Sequence, residues 1–186
     1  TLSTSYNDQI THHDYVYRHI IANPDSVFVL DSVIPYMDYA FRETKVSASF
    51  YINHKINILH SIKFGCMTDA YIFNYIHTIR NLSTYDFEYR FNYAGNAILF
   101  QPYVQWKYKI RENVVLNAGL HSQFFTLNNS VSWIEPRLGL KWDMDSKQSL
   151  SAAIGMHSQT QPTYIYFYHH PTTTPAPELY NKNIGF

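Results

Sequence analysis

The sequence predicts an all-β fold, an antiparallel sheet whose strands each carry one apolar and one polar face. Two observations lead to this prediction. Aromatic residues make up 17% of the 186 residues and charged residues only 15%, against about 25% charged residues in typical soluble domains. In addition, apolar and polar residues alternate with a period of two in several runs, which is the pattern of a strand with two different environments on its two sides.

The first half of the chain contains one weak strand and one clear hairpin. Residues 2–7 alternate only in part and predict a weak first strand. Residues 45–53 alternate throughout, and after a turn at residues 54–57 the alternation resumes and continues to Cys66. Because Cys66 is the single cysteine of the chain, an internal disulfide is excluded.

The second half contains the clearest alternation. It predicts strands at residues 97–110, 116–124, 134–142 and 150–159. The side chains on the polar phase of these runs are expected to face a lumen: Gln101, Gln105, Lys107, Lys109, His121, Glu135, Arg137, Lys141, His157 and Gln159.

Two features of the apolar phase bear on this prediction, one in its favour and one against it. Trp106, Tyr108 and Trp142 lie next to short turns, where aromatic side chains are typical of a membrane–water interface. Pro102 and Pro136 interrupt the pattern, because proline cannot donate a hydrogen bond to a strand ladder. We therefore expect β-bulges or strand ends at the two prolines.

The connections between strands differ in length in a regular way. Short connections are predicted at residues 54–57, 111–113, 128–131 and 143–147, and long ones at residues 10–42, 73–93 and 162–180. If the strands run up and down in order, every long connection falls on one side, as in outer-membrane barrels with short periplasmic turns. The long connections carry the aromatic candidates for ligand contact: Tyr36, Tyr39, Tyr85, Tyr89, Tyr164, Tyr166 and Tyr168.

These patterns together favour a membrane-spanning sheet. The chain has no run of 18 apolar residues, so no transmembrane helix is predicted, whereas two-faced strands cross a bilayer as a closed barrel. We therefore expect an antiparallel transmembrane β-barrel. Seven strands and the start of another at residues 181–186 are visible, and both ends are expected to be cut ends of a larger barrel. Strand count alone leaves a closed eight-stranded barrel open.

Three segments resemble a known family. The segment WIEPRLGLKW at residues 133–142 is similar to a barrel segment of Bacteroidetes TonB-dependent receptors. Residues 150–161 resemble the strand that follows, and NKNIG at residues 181–185 resembles the start of the next. The resemblance implies a barrel of about 22 strands closed by an N-terminal plug. Residues 1–186 would then be part of one barrel domain, with the plug and the remaining strands outside this chain.

The resemblance also implies a function and partners. Such receptors import a bulky nutrient across the outer membrane, and siderophore, vitamin, oligosaccharide and peptide substrates are all open. The implied partners are the lipid bilayer, the protein's own plug and remaining strands, TonB through the plug, and a surface lipoprotein; no cofactor is implied. The alternatives are a passive or structural small outer-membrane barrel, and a soluble β-sandwich that binds carbohydrate.

Other classes of function find little support in the sequence. The formal net charge is zero and there is no basic run, so nucleic acid is not expected as a partner. No segment resembles a nucleophile elbow, a P-loop or a pair of zinc ligands. Asp143 and Asp145 lie in a turn and are interpreted as turn formers. The sequence therefore does not predict an enzyme.

Two groups of polar residues invite a site hypothesis. Glu135 and Arg137 are two apart on one strand and point to the same side, so they either contact a plug or substrate or form a structural salt bridge, and the salt bridge is the favoured interpretation. The pairs His12–His13 and His169–His170 suggest a metal site, but adjacent histidines on a strand point to opposite faces and their spacing matches no zinc motif. No metal site is predicted.

Overall fold

The computed structural model describes residues 1–22, 28–167, 181 and 183–186. Its described strands form one seven-stranded antiparallel sheet in which each strand pairs with the next along the chain. The strands are β1 (Leu2–Ala22), β2 (Phe28–Lys55), β3 (His60–Arg80), β4 (Phe87–Arg111), β5 (Val114–Phe125), β6 (Ser130–Asp143) and β7 (Ser149–Gly155), followed by a 3-10 helix at Thr163–Phe167. The sheet curls into a half-barrel, which confirms the all-β antiparallel prediction.

The two phases of each strand lie on opposite faces of the sheet, as the alternation predicts. One row of directly paired residues on the apolar face runs through Ile62, Trp106, Ala118, Leu138 and Ile154. We call this the outer face. The opposite face, which we call the inner face, is covered in part by residues 156–167 of the chain itself.

A bulge lies close to Pro136 but not at the predicted position, since Pro136 itself pairs regularly with Leu120. The register of β5 and β6 shifts between His121 and Gln123, so Ser122 lies opposite both Trp133 and Ile134. A bulge changes which face the following residues point to. By contrast, β4 continues through Pro102 without a shift in register; only its ladder to β5 lacks pairs there, because proline has no N–H to donate.

The prediction of long loops at residues 10–42 and 73–93 is wrong. β1 and β2 remain paired up to Ala22 and Phe28, and β3 and β4 remain paired up to Arg80 and Phe87. The described connections are short. Most of the residues predicted to form loops instead lengthen the strands of the first half of the sheet. β1 to β4 contain 21 to 28 residues each, whereas β5 to β7 contain 7 to 14.

Two other predicted strand segments are also wrong. β7 ends at Gly155 rather than at residue 159, and the chain then leaves the sheet and crosses the inner face. Of residues 181–186, the described ones form turns and coil rather than the start of a strand.

An apolar core lies on the inner face, at a level where the sequence predicts a polar lumen. Phe73, Leu99 and Phe125 of the sheet pack with Tyr166 and Phe167 of the 3-10 helix, and all five are almost fully buried. Residues 156–167, which we call the strap, therefore fold back against the wall of the sheet and are fixed there by burial of aromatic surface.

One glycine is required by close packing of a ring. Tyr103 of β4 lies directly opposite Gly65 of β3 on the inner face. A Cβ atom added at Gly65 would lie 2.5 Å from Cζ of Tyr103. Only glycine leaves room for the ring, and such an aromatic cover over a strand glycine helps to fix the curvature and register of a sheet.

Candidate functional site

The predicted lumen candidates fall into three zones of the inner face. Lys107, Lys109 and Lys141 lie at the short-turn end, where Lys141 Nζ is 2.8 Å from Oδ1 of Asp143. Gln105 lies next to Lys63 in the register of β3 and β4. The inner face is therefore polar and cationic at this end, as the alternation predicts.

The middle zone contains a buried carboxylate, Glu135, of which only 1% is exposed. His121 Nδ1 lies 2.8 Å from Oε2 of Glu135, and Gln123 Nε2 donates to Oε1 at 2.9 Å. The Arg137 guanidinium donates to Oε2 at 3.1 Å. The predicted pair thus forms a salt bridge within β6, and two β5 side chains complete the shell that a buried charge needs.

Two serines connect the same carboxylate to the strap. Ser132 Oγ donates to Oε1 of Glu135 at 2.7 Å, and it reaches Glu135 because the bulge in β6 turns both side chains to the inner face. The backbone N–H of Ser158 donates to the same oxygen at 3.1 Å, and Gln123 Nε2 donates to the Ser158 carbonyl at 2.7 Å. Glu135 therefore joins three segments, namely β5, β6 and the strap.

The third zone is a cleft between the strap and the upper parts of β1 to β3. Its volume is about 690 Å³. The lining combines aromatic rings with polar side chains: Gln9, Met37, Tyr39, Phe41, Glu43, Tyr71, Tyr75, His77, Gln159, Thr160, Gln161, Pro162, Thr163 and Tyr164. Clefts of this size and mixed character are typical of small-molecule sites.

The aromatic rings of the cleft form a continuous series. Tyr39 lies 6.1 Å from Tyr15 and 4.8 Å from Phe41 between ring centroids. Phe41 in turn lies 5.1 Å from Tyr75 and 6.1 Å from Tyr164. The rings of β1, β2 and β3 sit on alternate residues of adjacent strands, so the period of the sheet places them side by side, and Tyr164 is added by the strap.

A carboxylate holds the strap at the bottom of this cleft. Tyr75 donates from its hydroxyl to Oε2 of Glu43 at 2.7 Å, and Thr163 of the strap donates to the same oxygen at 2.5 Å. Tyr75 and Thr163 also contact each other through their hydroxyl groups. Burial raises the pKa of Tyr75 above its ordinary value. The Tyr75 hydroxyl therefore stays protonated and remains a donor at neutral pH.

One histidine in the cleft lining has a strongly shifted pKa. His77 is only 8% exposed, and burial lowers its pKa to about 4, with the positive charge of Arg90 adding to the effect. Asp38 acts in the opposite direction but is the smaller influence. His77 is consequently neutral at pH 7 and offers the cleft an uncharged imidazole.

The aromatic residues predicted to lie in loops occupy different positions in the structure. Tyr39 and Tyr164 line the cleft, whereas Tyr166 belongs to the buried core and is not available to a ligand. Tyr36 and Tyr89 lie in strands rather than loops, and Tyr85 lies in the β3–β4 turn with a positive φ of 64°. The prediction for Tyr168 lies outside the described residues.

Two of the remaining lumen candidates, His157 and Gln159, do not lie on β7 as predicted. Gln159 of the strap lines the cleft, and His157 borders a groove of about 760 Å³ beside Gln105 and Arg137. Gln101 lies on the inner face of β4, opposite Met67 of β3. Glu43, Tyr75 and His77 also line the cleft, but the sequence did not predict them as site residues. Each continues the period of its strand beyond the boundary predicted for that strand.

The outer face carries an aromatic cluster at the short-turn end. The rings of His60, Trp106 and Tyr108 lie nearly parallel, with centroids 4.5 to 5.7 Å apart. Trp106 Nε1 donates to Nδ1 of His60 at 3.3 Å. Trp142 lies on the same face near the β6–β7 turn. This cluster coincides with the interface belt predicted from the sequence.

The described residues contain neither a cluster of metal ligands nor a helix that could span a membrane. Within the described residues, no group of three or more His, Cys, Asp or Glu side chains is arranged to hold a metal ion. In that same part of the chain, no helix has the length and apolar character needed to cross a bilayer. Comparison of the chain with protein-family models, curated proteins and solved structures gives no match.

Proposed function

We propose that this chain forms part of a β-barrel in a bacterial outer membrane, and that the barrel imports a bulky nutrient by TonB-dependent transport. The membrane assignment is supported by the chemistry of the outer face. The transport assignment is supported by the resemblance of residues 133–142, 150–161 and 181–185 to the receptor family. In this proposal the plug and the remaining strands lie outside this chain.

The observation that carries the proposal is a continuous apolar band on the outer face. The band consists of the outer-facing positions within residues 2–6, 46–54, 60–70, 98–110, 114–124, 134–142 and 150–154. No Asp, Glu, Lys or Arg occupies any of these positions in the described strands. Leu120, Leu138 and Ile154 remain 49%, 48% and 77% exposed. A soluble sandwich would bury such residues under a second layer.

The height of this band matches that of a membrane. From Ile98 to Tyr108 there are about ten residue steps of about 3.3 Å, and a strand tilt of about 40° gives a height of about 25 Å, the height of the apolar band of outer-membrane barrels. Above the band charged side chains enter the outer face, where Arg42 donates to Asp8 at 2.9 Å and Thr44 donates to it at 2.7 Å.

The edges of the sheet support a larger barrel. β1 and β7 are the two edges of the described sheet. In hydrocarbon, backbone groups on an open edge have no water to bind, so a membrane sheet must close through further strands. Further strands between β7 and β1 would satisfy both edges, and the inner-face lysines, glutamines and Arg137 would then face a hydrated or plugged lumen.

Cell fractionation and uptake test the proposal together. The full-length protein is expected in the outer-membrane fraction, with uptake of its substrate lost when TonB is deleted. A folded protein that stays in solution without detergent would instead support the soluble carbohydrate-binding alternative. Membrane insertion combined with flux that does not depend on TonB would support the passive barrel. Each of these two results rejects a different half of the proposal.

A further inference from the structure

We infer that the cleft between the strap and β1–β3 is a binding subsite for a neutral oligosaccharide. This deepens the proposed function and rests on it only in taking the inner face as the path of the substrate. The inference follows from three properties of the cleft lining, namely exposed ring faces, a surplus of uncharged polar groups, and a carboxylate whose charge is already used within the protein.

The first property is the series of ring faces. Tyr39 and Tyr164 are only partly buried and lie on opposite sides of the cleft, one on β2 and one on the strap. Phe41 lies between them, 4.8 Å from Tyr39 and nearly parallel to Tyr164. The C–H faces of pyranose rings are apolar and flat, so they pack against aromatic rings while the equatorial hydroxyl groups stay free for hydrogen bonds.

The second property is the type of polar group beside these rings. Gln9, Gln159 and Gln161 contribute amide side chains to the lining, and His77 is neutral at pH 7. An amide both donates and accepts, as a sugar hydroxyl group does. A row of such groups next to aromatic faces therefore fits a polyhydroxylated ligand better than a purely apolar one, such as a hydrophobic peptide.

The third property is the charge balance. The lining contains no Lys or Arg, so a polyanionic ligand such as a ferric catecholate or an acidic sugar would be buried without a counter-charge. The one carboxylate, Glu43, accepts hydrogen bonds from Tyr75 and from Thr163. The Glu43 carboxylate is already used to hold the strap, which disfavours a cationic ligand that would need this carboxylate as its counter-charge. A neutral ligand satisfies both conditions.

Calorimetric titration of the full-length protein in detergent tests the inference. The probes are hexasaccharides of α-1,4-linked and β-1,4-linked glucose, a galacturonic acid hexamer, a glucosamine hexamer, a ferric catecholate complex and an uncharged aromatic peptide. We expect at least one neutral hexasaccharide to bind more tightly than every other probe. Tyr39→Ala should weaken that binding about tenfold, because a stacked ring is lost.

Three further variants separate the causes. Tyr164→Ala removes a ring that is 47% exposed and outside the core, so it tests stacking even if Tyr39→Ala does not fold. Tyr89→Ala changes a tyrosine that is absent from the cleft lining and should leave affinity within about twofold. Glu43→Gln keeps an acceptor for Tyr75 and Thr163, so binding of a neutral sugar should stay within about threefold, whereas a cation site would lose most of its affinity.

The contradicting results are distinct from a failure of the proposed function. Tightest binding of a charged probe or of the peptide overturns the inference, as does the absence of binding by both neutral sugars. Neutral-sugar binding that both Tyr39→Ala and Tyr164→Ala leave unchanged also overturns it. None of these results alters the outer-membrane location or TonB dependence, which fractionation and uptake measure separately.

Discussion

The backbone N–H of Ser158 donates a hydrogen bond to the carboxylate of Glu135, and this 3.1 Å contact joins the strap to the wall of the sheet. Glu135 lies on β6 and is almost fully buried, whereas Ser158 lies three residues after the end of β7. The bulge opposite Ser122 turns Ser132 to the same face, where Ser132 donates to Glu135 and contacts the hydroxyl group of Ser158. The local irregularity of β6 and the inward path of the strap are thus two parts of one arrangement.

The first prediction concerns Glu135→Ala. This change leaves the donors of His121, Gln123 and Ser132 buried without their acceptor, so the free energy of unfolding should fall by about 3 kcal/mol. Urea titration of the protein in lipid, followed by tryptophan fluorescence, measures the loss. Hydrogen exchange in residues 156–162 should also become faster, because the strap loses its bond through Ser158.

Asp143→Ala is the matched control for this prediction. Asp143 also forms an ion pair on β6, with Lys141, but the two side chains are 42% and 51% exposed. An exposed pair contributes about 0–1 kcal/mol. An equal loss of stability in the two variants would mean that the burial of Glu135 has no special weight.

The second prediction concerns the contact between Gly65 and Tyr103. Gly65→Ala places a methyl group 2.5 Å from the Tyr103 ring, so the ring must move and the free energy of unfolding should fall by about 1–3 kcal/mol. In a Tyr103→Ala background the same change should cost less than about 0.5 kcal/mol. Gly139→Ala, whose nearest neighbours lie 3.8 Å away, should be nearly neutral. Additive losses in the double variant would exclude a direct clash.

The third prediction is a pH dependence caused by His77. Its pKa is about 4 in the folded protein against an ordinary value of 6.5, so the unfolded chain binds more protons between these two values. The contribution of His77 to stability is therefore fully present above about pH 6.5 and is lost as pH falls toward 4. The protection of the upper β2–β3 hairpin against hydrogen exchange, corrected for the pH dependence of the intrinsic rate, should fall over this window by an equivalent of roughly 1–3 kcal/mol.

His77→Gln supplies the control for the pH dependence. Glutamine does not titrate, so the protection of this variant against exchange, corrected for the pH dependence of the intrinsic rate, should be nearly flat between pH 4 and 6.5. Asp38 and Arg90 are the charged groups that act on His77, and neither is removed in the variant. If the pH dependence persists unchanged in His77→Gln, it arises from another group.

The sequence predicts the lower half of the sheet well, for a physical reason. Between the short turns and about Ile98 on β4, outer and inner environments differ strongly, so the alternation is strict and the pairing of Val104 with Leu120 follows from it. The identity of the inner-facing residues, such as Gln105 and Lys107, follows from the same pattern.

The upper half could not be predicted in this way. The register shifts at Tyr15–Val16, His19–Ile20 and His77–Thr78 move residues from one phase to the other, and this breaks the period of two that defines a strand in the sequence. Tyr39 and Tyr75 lie below these shifts and keep the period of their strands, but they place aromatic rings on the inner face, which is polar in the lower half of the sheet. The polar inner phase of the lower half therefore does not extend the predicted strands to them.

The cleft could not be predicted because six of its fourteen lining residues come from the strap. The bonds from Thr163 to Glu43 and from Ser158 to Glu135 join residues 120 and 23 positions apart. No local pattern encodes contacts of this range. The sequence alone also assigns Tyr166 to ligand contact, whereas burial against Phe125 decides its position.

The last prediction tests the outer face, on which the membrane assignment depends. Leu138 is 48% exposed in the middle of the apolar band, between Ala118 and Ile154. If this face meets acyl chains, Leu138→Arg should destabilise the protein folded in lipid, lowering its free energy of unfolding by about 2–4 kcal/mol. Assembly in the outer membrane should be reduced as well. Ala153→Arg on the adjacent strand is the control, because Ala153 pairs with Gly139 on the inner face and its new charge would enter a polar lumen. In a soluble protein both substitutions lie at the surface, so equal and small effects of the two would place water, rather than lipid, against Leu138.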